Sequence, residues 1–335
     1  MKVGYICEKT NNAYYRAIMP LRALQVRGHT IAWPNSLDDD VPMRQLLTCD
    51  VVHCYRSLAR LPDLRRLSEH GVAVSFDNDD NYAAAEVSEH GKGHAARRYN
   101  AAFFRHVLKV ARLSDITTTP SDALAHIYRS AGVPNVATIE NRLERSMPGF
   151  GAPRRHTGVV VGWVAASEHQ LDLERLALSG PLTRLLDAHG SLTIVSVGLR
   201  LPLRHERYKH IESIPFPQLL TATGGFDIGI APLADTEFNR SRSNVKLKEY
   251  ASGGAAWLAS PVGPYRSLGE RQGGRLVADS DWFAAIEELI NAGRRRRRYA
   301  RKALKWAKGE TLERHVDAWE AALESAIDAR ASRRT

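Results

Sequence analysis

Along the chain, short apolar runs rich in β-branched and aromatic residues alternate with stretches whose apolar positions recur at helical spacing. Residues 3–7, 29–33, 51–55, 72–76, 116–119 and 136–140 carry the first pattern, which predicts strands. Residues 15–27, 58–69 and 97–112 carry the second and predict helices, the first two closed by Gly28 and Gly71. Ser121, behind Pro120, is placed to N-cap a further helix. The alternation breaks over 142–157, where Pro148, Gly149, Gly151 and Pro153 stand among charges with no sustained period, as in a linker. It then resumes, with strands predicted at 158–164, 192–197, 210–214, 226–231, 255–259 and 274–277. Helices are predicted between them at 171–178, 181–189, 217–223, 246–252 and 281–291. Residues 310–329 place Leu312, Val316, Trp319, Leu323 and Ile327 on one helical face, which predicts a terminal helix packed across both halves.

Strands alternating with helices signify a parallel, doubly wound sheet, and here the pattern occurs twice. The expectation is an α/β chain of two Rossmann-like domains facing each other across a cleft, the first over 1–145 and the second over 156–309. A terminal helix and basic tail would follow over 310–335. The length of 335 residues, about twice that of a usual single domain, fits this division.

Composition narrows the class further. Apolar residues at 44% and charged residues at 25% describe an ordinary globular protein rather than a disordered or multi-span one. No run has the apolar length to cross a bilayer, and the opening MKVGYICEKT reads as a strand rather than a signal peptide, which implies a cytoplasmic location. Cys7, Cys49 and Cys54 form neither an even framework nor a C-x-x-C pair, so they read as reduced, mostly buried thiols. The net charge of +10 is concentrated: 294–308 holds nine basic residues and no acidic one, leaving +1 elsewhere (10 − 9). Arg294, Arg295, Arg296, Arg297 and Arg298 head this stretch, which suits an anionic partner such as nucleic acid, a phosphorylated glycan or an anionic membrane surface. A solvated helix face with Ala303, Leu304 and Trp306 turned inward explains the same residues.

In open parallel sheets, ligands bind beyond the carboxyl ends of the strands, which directs attention to four loops. After 3–7, the polar run Thr10, Asn11, Asn12 leads to Arg16, whose guanidinium could meet an anion. After 72–76, Asp77, Asn78, Asp79, Asp80, Asn81 and Tyr82 crowd three carboxylates together, and these need a cation, a proton or water to coexist. The segment GWVAASEHQLD, 162–172, ends a strand in small residues beginning with Gly162 and then supplies Ser167, His169 and Asp172. The fourth loop follows 226–231 and opens a helix bearing Lys246 and Glu249. Free amides at the helix start with Lys246 suit a diphosphate, and the Glu249 carboxylate suits a ribose diol.

The fourth loop also carries a resemblance. FDIGIAPL (226–233), FN-x-x-x-SN-x-K-x-KEYA-x-G-G (238–254) and ASPVGPY (259–265) resemble the C-terminal domain of GT-B glycosyltransferases, in particular the retaining group related to family four. DVVHCY (50–55), DNDDNY (77–82), TTTPSDAL (117–124) and VATIEN (136–141) fall where that group's N-terminal domain has counterparts, so the resemblance covers nearly the full chain. It implies transfer of a sugar from a UDP or GDP sugar to an acceptor hydroxyl, retaining, with no metal and no cofactor beyond the donor. Lys246, Asp79 and Arg16 would be catalytic, the last two on the acceptor side. Gly162, Ser167, His169, Ser243, Asn244, Lys246 and Glu249 would hold the donor. Two departures stand out: Ser241 occupies the position eight before Glu249 where many relatives have a second glutamate, and His169 stands where they often have a basic pair, so phosphate neutralisation would fall to Lys246, Arg240 or Arg242. The rival readings are a nucleotide-sugar epimerase of the same fold, a metal-dependent transferase built on Asp77 and Asp79, and a non-enzymatic nucleic-acid-binding protein using 294–308.

Overall fold

The apolar runs assemble into two separate parallel sheets of six strands each. The computed structural model of the chain describes residues 1–36, 39–88, 91–153 and 156–333; positions 154–155 of the predicted linker and 334–335 of the tail lie outside the described residues. One compact unit holds Met1–Arg142, Ser241–Ser243 and Leu312–Thr335, and the other holds Leu143–Arg240 and Asn244–Thr311.

In the first unit the strands run in the order Thr30–Ala32, Lys2–Cys7, Val51–Tyr55, Ala73–Asp77, Ile116–Thr119, Val136–Thr138, all parallel. Val51–Tyr55, Ala73–Asp77 and Ile116–Thr119 are buried at every position, because a parallel sheet is covered on both faces. That is why they lack the alternation of apolar and polar positions seen in half-exposed strands. Ser121 accepts a hydrogen bond from the Leu124 amide and caps the helix Asp122–Ser130, as expected. The helix predicted over 15–27 is instead a π-helical turn, Tyr14–Ile18, running into Met19–Val26. Pro20 has no N–H for the carbonyl four residues back, that of Arg16, and the chain widens there. The Arg16 carbonyl accepts from His53 Nε2 at 2.8 Å. The terminal helix Asp317–Ser332 belongs to this unit, with Trp319 edge-on to His53 at 5.4 Å and Arg330 hydrogen-bonded to Asp115.

In the second unit the order is Tyr208–Ile211, Leu192–Gly198, Val159–Ala165, Ile228–Ala231, Ala256–Ala259, Gly274–Leu276, again all parallel. Successive side chains of one strand enter different cores, as the period of two requires. Ala256 and Leu258 join Trp163, Leu185 and Leu289, whereas Trp257 and Ala259 join Phe226, Tyr250 and Ala303. The strand predicted at 210–214 lies at Tyr208–Ile211 instead. This edge strand alternates between half-buried and exposed positions, and Tyr208 sets its place through its hydroxyl, which shares a hydrogen bond with Ser196 Oγ and accepts one from the Leu201 amide. The basic stretch forms one helix, Gly293–Gly309, which buries Tyr299, Ala303 and Ala307 at a spacing of four. Leu304 and Trp306, expected on the packing side, are only partly buried.

Candidate functional site

In each sheet the chain leaves two adjacent strands in opposite directions, and the crevice that opens at their carboxyl ends is where a doubly wound fold takes a ligand. In the second unit those strands are Val159–Ala165 and Ile228–Ala231. They pair only at Ile228 with Val161 and Gly229 with Gly162. Beyond that point the hydroxyl of Tyr250 enters the gap, donating to the Ile230 carbonyl at 2.9 Å and accepting from the Val164 amide at 3.0 Å. The paired glycines make room for rings: a Cβ on Gly162 would lie 2.2 Å from Phe226, and one on Gly229 would lie 2.3 Å from Tyr250. The space expected at Gly162 for a ligand is thus filled by a side chain of the protein.

Past Ala165 the chain turns through Ser167–His169, with Ser167 exposed and His169 buried. His169 Nδ1 donates to Asp172 Oδ2 at 2.8 Å, while Asp172 Oδ1 accepts from the Ala234 amide at 2.9 Å and from Asn239 Nδ2 at 2.8 Å. A single buried carboxylate therefore ties the loop after Val159–Ala165 to the loop after Ile228–Ala231 and fixes the imidazole orientation. Asn239 sits on the short helix Glu237–Arg240, which sequence reasoning missed because Thr236, Asn239 and their neighbours show no apolar period.

The helix Val245–Ser252 begins on the same side of the sheet, directly after this loop. Its N-cap residue Asn244 makes no side-chain cap, and its carboxamide oxygen is buried without a hydrogen bond among the described residues. Lys246 Nζ stands 3.6 Å from Glu249 Oε2, beyond hydrogen-bonding distance, with Lys246 one-fifth exposed and Glu249 nearly enclosed at 4%. Lys248 is different: fully buried, it pairs with Glu310 at 3.4 Å. Arg240 is held by both oxygens of Asp235, whose carboxyl lies below its ordinary range because of that hydrogen bond. Ser243 belongs with the first unit, where its hydroxyl accepts from Asn141 Nδ2 at 3.2 Å, so the unit boundary falls between Ser243 and Asn244.

In the first unit the diverging strands are Lys2–Cys7 and Val51–Tyr55. Arg16 lies below this edge, wholly buried, and its guanidinium faces Asp77 with Nε at 3.0 Å and Nη2 at 2.6 Å. Its Nη1 donates to the Ile139 carbonyl and to Asn141 Oδ1, and Trp319 covers its face at 4.9 Å. These partners take the place of the anion that the sequence suggested for Arg16. Asp79 accepts from Asn12 Nδ2 at 2.8 Å and from the Tyr55 hydroxyl at 3.1 Å, and it pairs with Arg56 Nε at 2.7 Å. Arg56 also bonds Asp80 and stacks against the rings of Tyr55 and Tyr82.

The crowded carboxylates of 77–80 are therefore answered by two arginines of the chain. Among the described residues there is no group of three or more His, Cys, Asp or Glu placed to hold a metal ion. Arg56 was not foreseen. It follows the strand Val51–Tyr55 directly, the position that should have drawn notice, and adopts the left-handed backbone at φ 57°, which few non-glycine residues do. Burial lowers its pKa, but Asp79 and Asp80 more than offset this and hold the guanidinium protonated.

No known family model matches the sequence, and no curated protein matches it. Solved structures do. An α-glucosyltransferase in complex with UDP and a 13-mer DNA containing an HMU base matches with a TM-score of 0.66 and 10% identity over 99% of each chain. Sucrose-phosphate synthase from Thermosynechococcus elongatus matches with a TM-score of 0.66 and 12% identity over 98% of this chain and 99% of that one. A TarM variant from S. aureus, in complex with fondaparinux, α-GlcNAc-glycerol and UDP, has a TM-score of 0.59 and 12% identity; it is matched over 82% of this chain, which spans 55% of TarM. At these identities the likeness is one of fold, and the two parallel sheets have the GT-B architecture.

Proposed function

We propose that this protein is a glycosyltransferase that moves a sugar from a nucleotide diphosphate donor to an acceptor hydroxyl, with retention and without a metal. The observation that carries the reading is the helix start at Asn244, where Lys246 and Glu249 stand together beside the diverging strands of the second unit. Leaving-group stabilisation is the main catalytic term for such a donor. Lys246 and the amides at the helix start would take up the charge that develops on the departing diphosphate, and Glu249 would accept from the ribose hydroxyls. His169, with Nδ1 committed to Asp172, and Ser167 add polar groups on the neighbouring loop after Val159–Ala165.

On the acceptor side, Asp79 with Asn12, Tyr55 and Arg56 forms a fixed polar cluster at the carboxyl edge of the first sheet, and Arg16 acts through Asp77 as a positioning residue. A metal-dependent reading built on Asp77 and Asp79 is less well supported, since arginines already neutralise both. Neighbours solved with UDP, among them α-glucosyltransferases, make UDP the first nucleotide to try and do not favour the epimerase reading. The acceptor is anionic in this reading, drawn to the 294–298 arginines, and no cofactor beyond the donor is required. No helix among the described residues is long and apolar enough to cross a membrane.

The test is a thermal-shift series with UDP, GDP, dTDP and ADP. A nucleotide at about 100 times its Kd should stabilise the native state by about 2.7 kcal/mol. UDP should raise the melting temperature of the wild type, and Glu249→Gln should lose most of that rise. Lys246→Ala should lower turnover of the UDP sugar more than it weakens UDP binding. No shift with any of the four nucleotides overturns the reading.

A further inference from the structure

The helix Gly293–Gly309 carries more positive charge than its packing uses, and its geometry sorts the basic residues into two kinds. At 100° per residue, the buried Tyr299, Ala303 and Ala307 define one face. Arg296 lies on that face: its Nη1 donates to the carbonyls of Leu289 and Ile290, so it caps the end of the preceding helix Trp282–Asn291. The opposite face, an arc of about 100°, holds Arg294, Arg297, Arg298, Arg301, Lys305 and Lys308, all exposed and spread along about 21 Å of axis. Arg298 has Glu270 at 3.9 Å, and Arg295, at the margin, is bonded to Glu288. Arg294, Arg297, Arg301, Lys305 and Lys308 have no acidic side chain within 4 Å among the described residues.

Two physical facts oppose this arrangement in the isolated protein. Like charges three and four positions apart on a helix repel. Cations at a helix N-terminus also add to the positive end of the backbone dipole, and here the arginines crowd that end. An array of phosphates laid along the arc removes both penalties. A bilayer surface fits less well, because an interfacial helix buries an apolar face among the lipid chains, whereas the apolar face of this helix is spent on the protein core. The large apolar side chains that are exposed among the described residues are Val26, Tyr99 and Ile211, none of them on this helix.

We infer that the Arg294–Arg297–Arg301–Lys305–Lys308 face of the helix is a docking surface for the phosphate backbone of a nucleic acid, read without regard to base sequence. That the bound nucleic acid also carries the acceptor hydroxyl rests on the proposed transfer; the docking does not. Forks of arginine suit phosphodiester oxygens, and affinity gained by displacing counterions must fall steeply with salt.

The experiment is fluorescence anisotropy of a labelled duplex of about 20 base pairs with the full chain, between about 50 and 200 mM salt. Five neutralised phosphates give a slope of about −4.5 in log K against log salt, a loss of roughly 500-fold over that range. The fourfold variant R294A/R297A/R301A/K305A should flatten the slope by about 3.6, and Arg296 is left in place because it is structural. Absence of duplex binding at 50 mM salt, an unchanged slope in the variant, or arginine-dependent binding to phosphatidylserine vesicles but not to duplex overturns the inference. If the variant fails to fold, the wild-type slope decides alone. The nucleotide thermal shifts separate the two claims: duplex binding without a shift from any of the four nucleotides sinks the transferase reading and leaves the docking surface standing, and the reverse result does the opposite.

Discussion

Arg16 shows how one side chain can satisfy a chemical expectation by unexpected means. A guanidinium after the first strand was expected to meet an anion, and it does, but the anion is Asp77 of the same unit, and both groups are fully buried. Removing one partner of such a pair leaves the other charge without compensation, at a cost of about 3–5 kcal/mol. Arg16→Ala should therefore lower the unfolding free energy measured by urea titration by an amount in that range, with aggregation or poor expression as its extreme form. Glu249→Gln, at the helix start of the second unit, should leave the unfolding free energy within about 1 kcal/mol of wild type while it removes most of the nucleotide binding. Equal stability of Arg16→Ala and wild type would show that the Asp77 carboxylate does not depend on Arg16.

Gly162 and Gly229 act through the strands that hold them. They face each other in register where Val159–Ala165 and Ile228–Ala231 part, and the rings of Phe226 and Tyr250 occupy the volume that side chains would take. Gly162→Ala would force a Cβ to 2.2 Å from the Phe226 ring, so the ring or the strand must move. Overpacking of this kind costs about 1–3 kcal/mol. A thermal melt should show that loss, and Phe226→Leu in the same chain should restore part of it; additive losses in the double variant would argue against the contact. Elements of this kind were legible from the sequence where burial is complete, as in Ala256–Ala259, and where a cap is local, as at Ser121. They were displaced where the pattern is weak, as at the edge strand Tyr208–Ile211, or where a proline four residues on widened a helix, as at Tyr14–Ile18.

Both units respond to pH through groups that burial keeps protonated. Burial pushes the thiols of Cys7 and Cys54 up to about 12 from 9.0, and the hydroxyls of Tyr5 in the first unit and Tyr299 in the second up to about 12 from 10.0. The unfolded chain ionises these groups first, beginning near pH 8.5 for a thiol. Their contribution to stability is thus fully present below about pH 8.5 and is lost as pH rises toward 12. Melting temperatures should hold level from pH 7 to about 8.5 and then fall steadily, and alkylating reagents should leave Cys54 unmodified at pH 8 until the chain unfolds. A flat profile to pH 11 would contradict the burial assigned to these groups.

The periodicities of two and of about three and a half, the two runs of strand-helix alternation, the caps and the concentration of charge at 294–308 depend on residues close together along the chain, and the sequence was sufficient for them. The partner of each charge was another matter. Arg16 finds Asp77 across 61 positions, Asp172 gathers Asn239 across 67, and Arg296 turns inward while its neighbours face water. Which polar group is spent inside the protein and which is left to meet a ligand is a property of three-dimensional neighbourhood. Coulomb energy and desolvation depend on distances that local sequence patterns do not specify, and packing alone set those distances here.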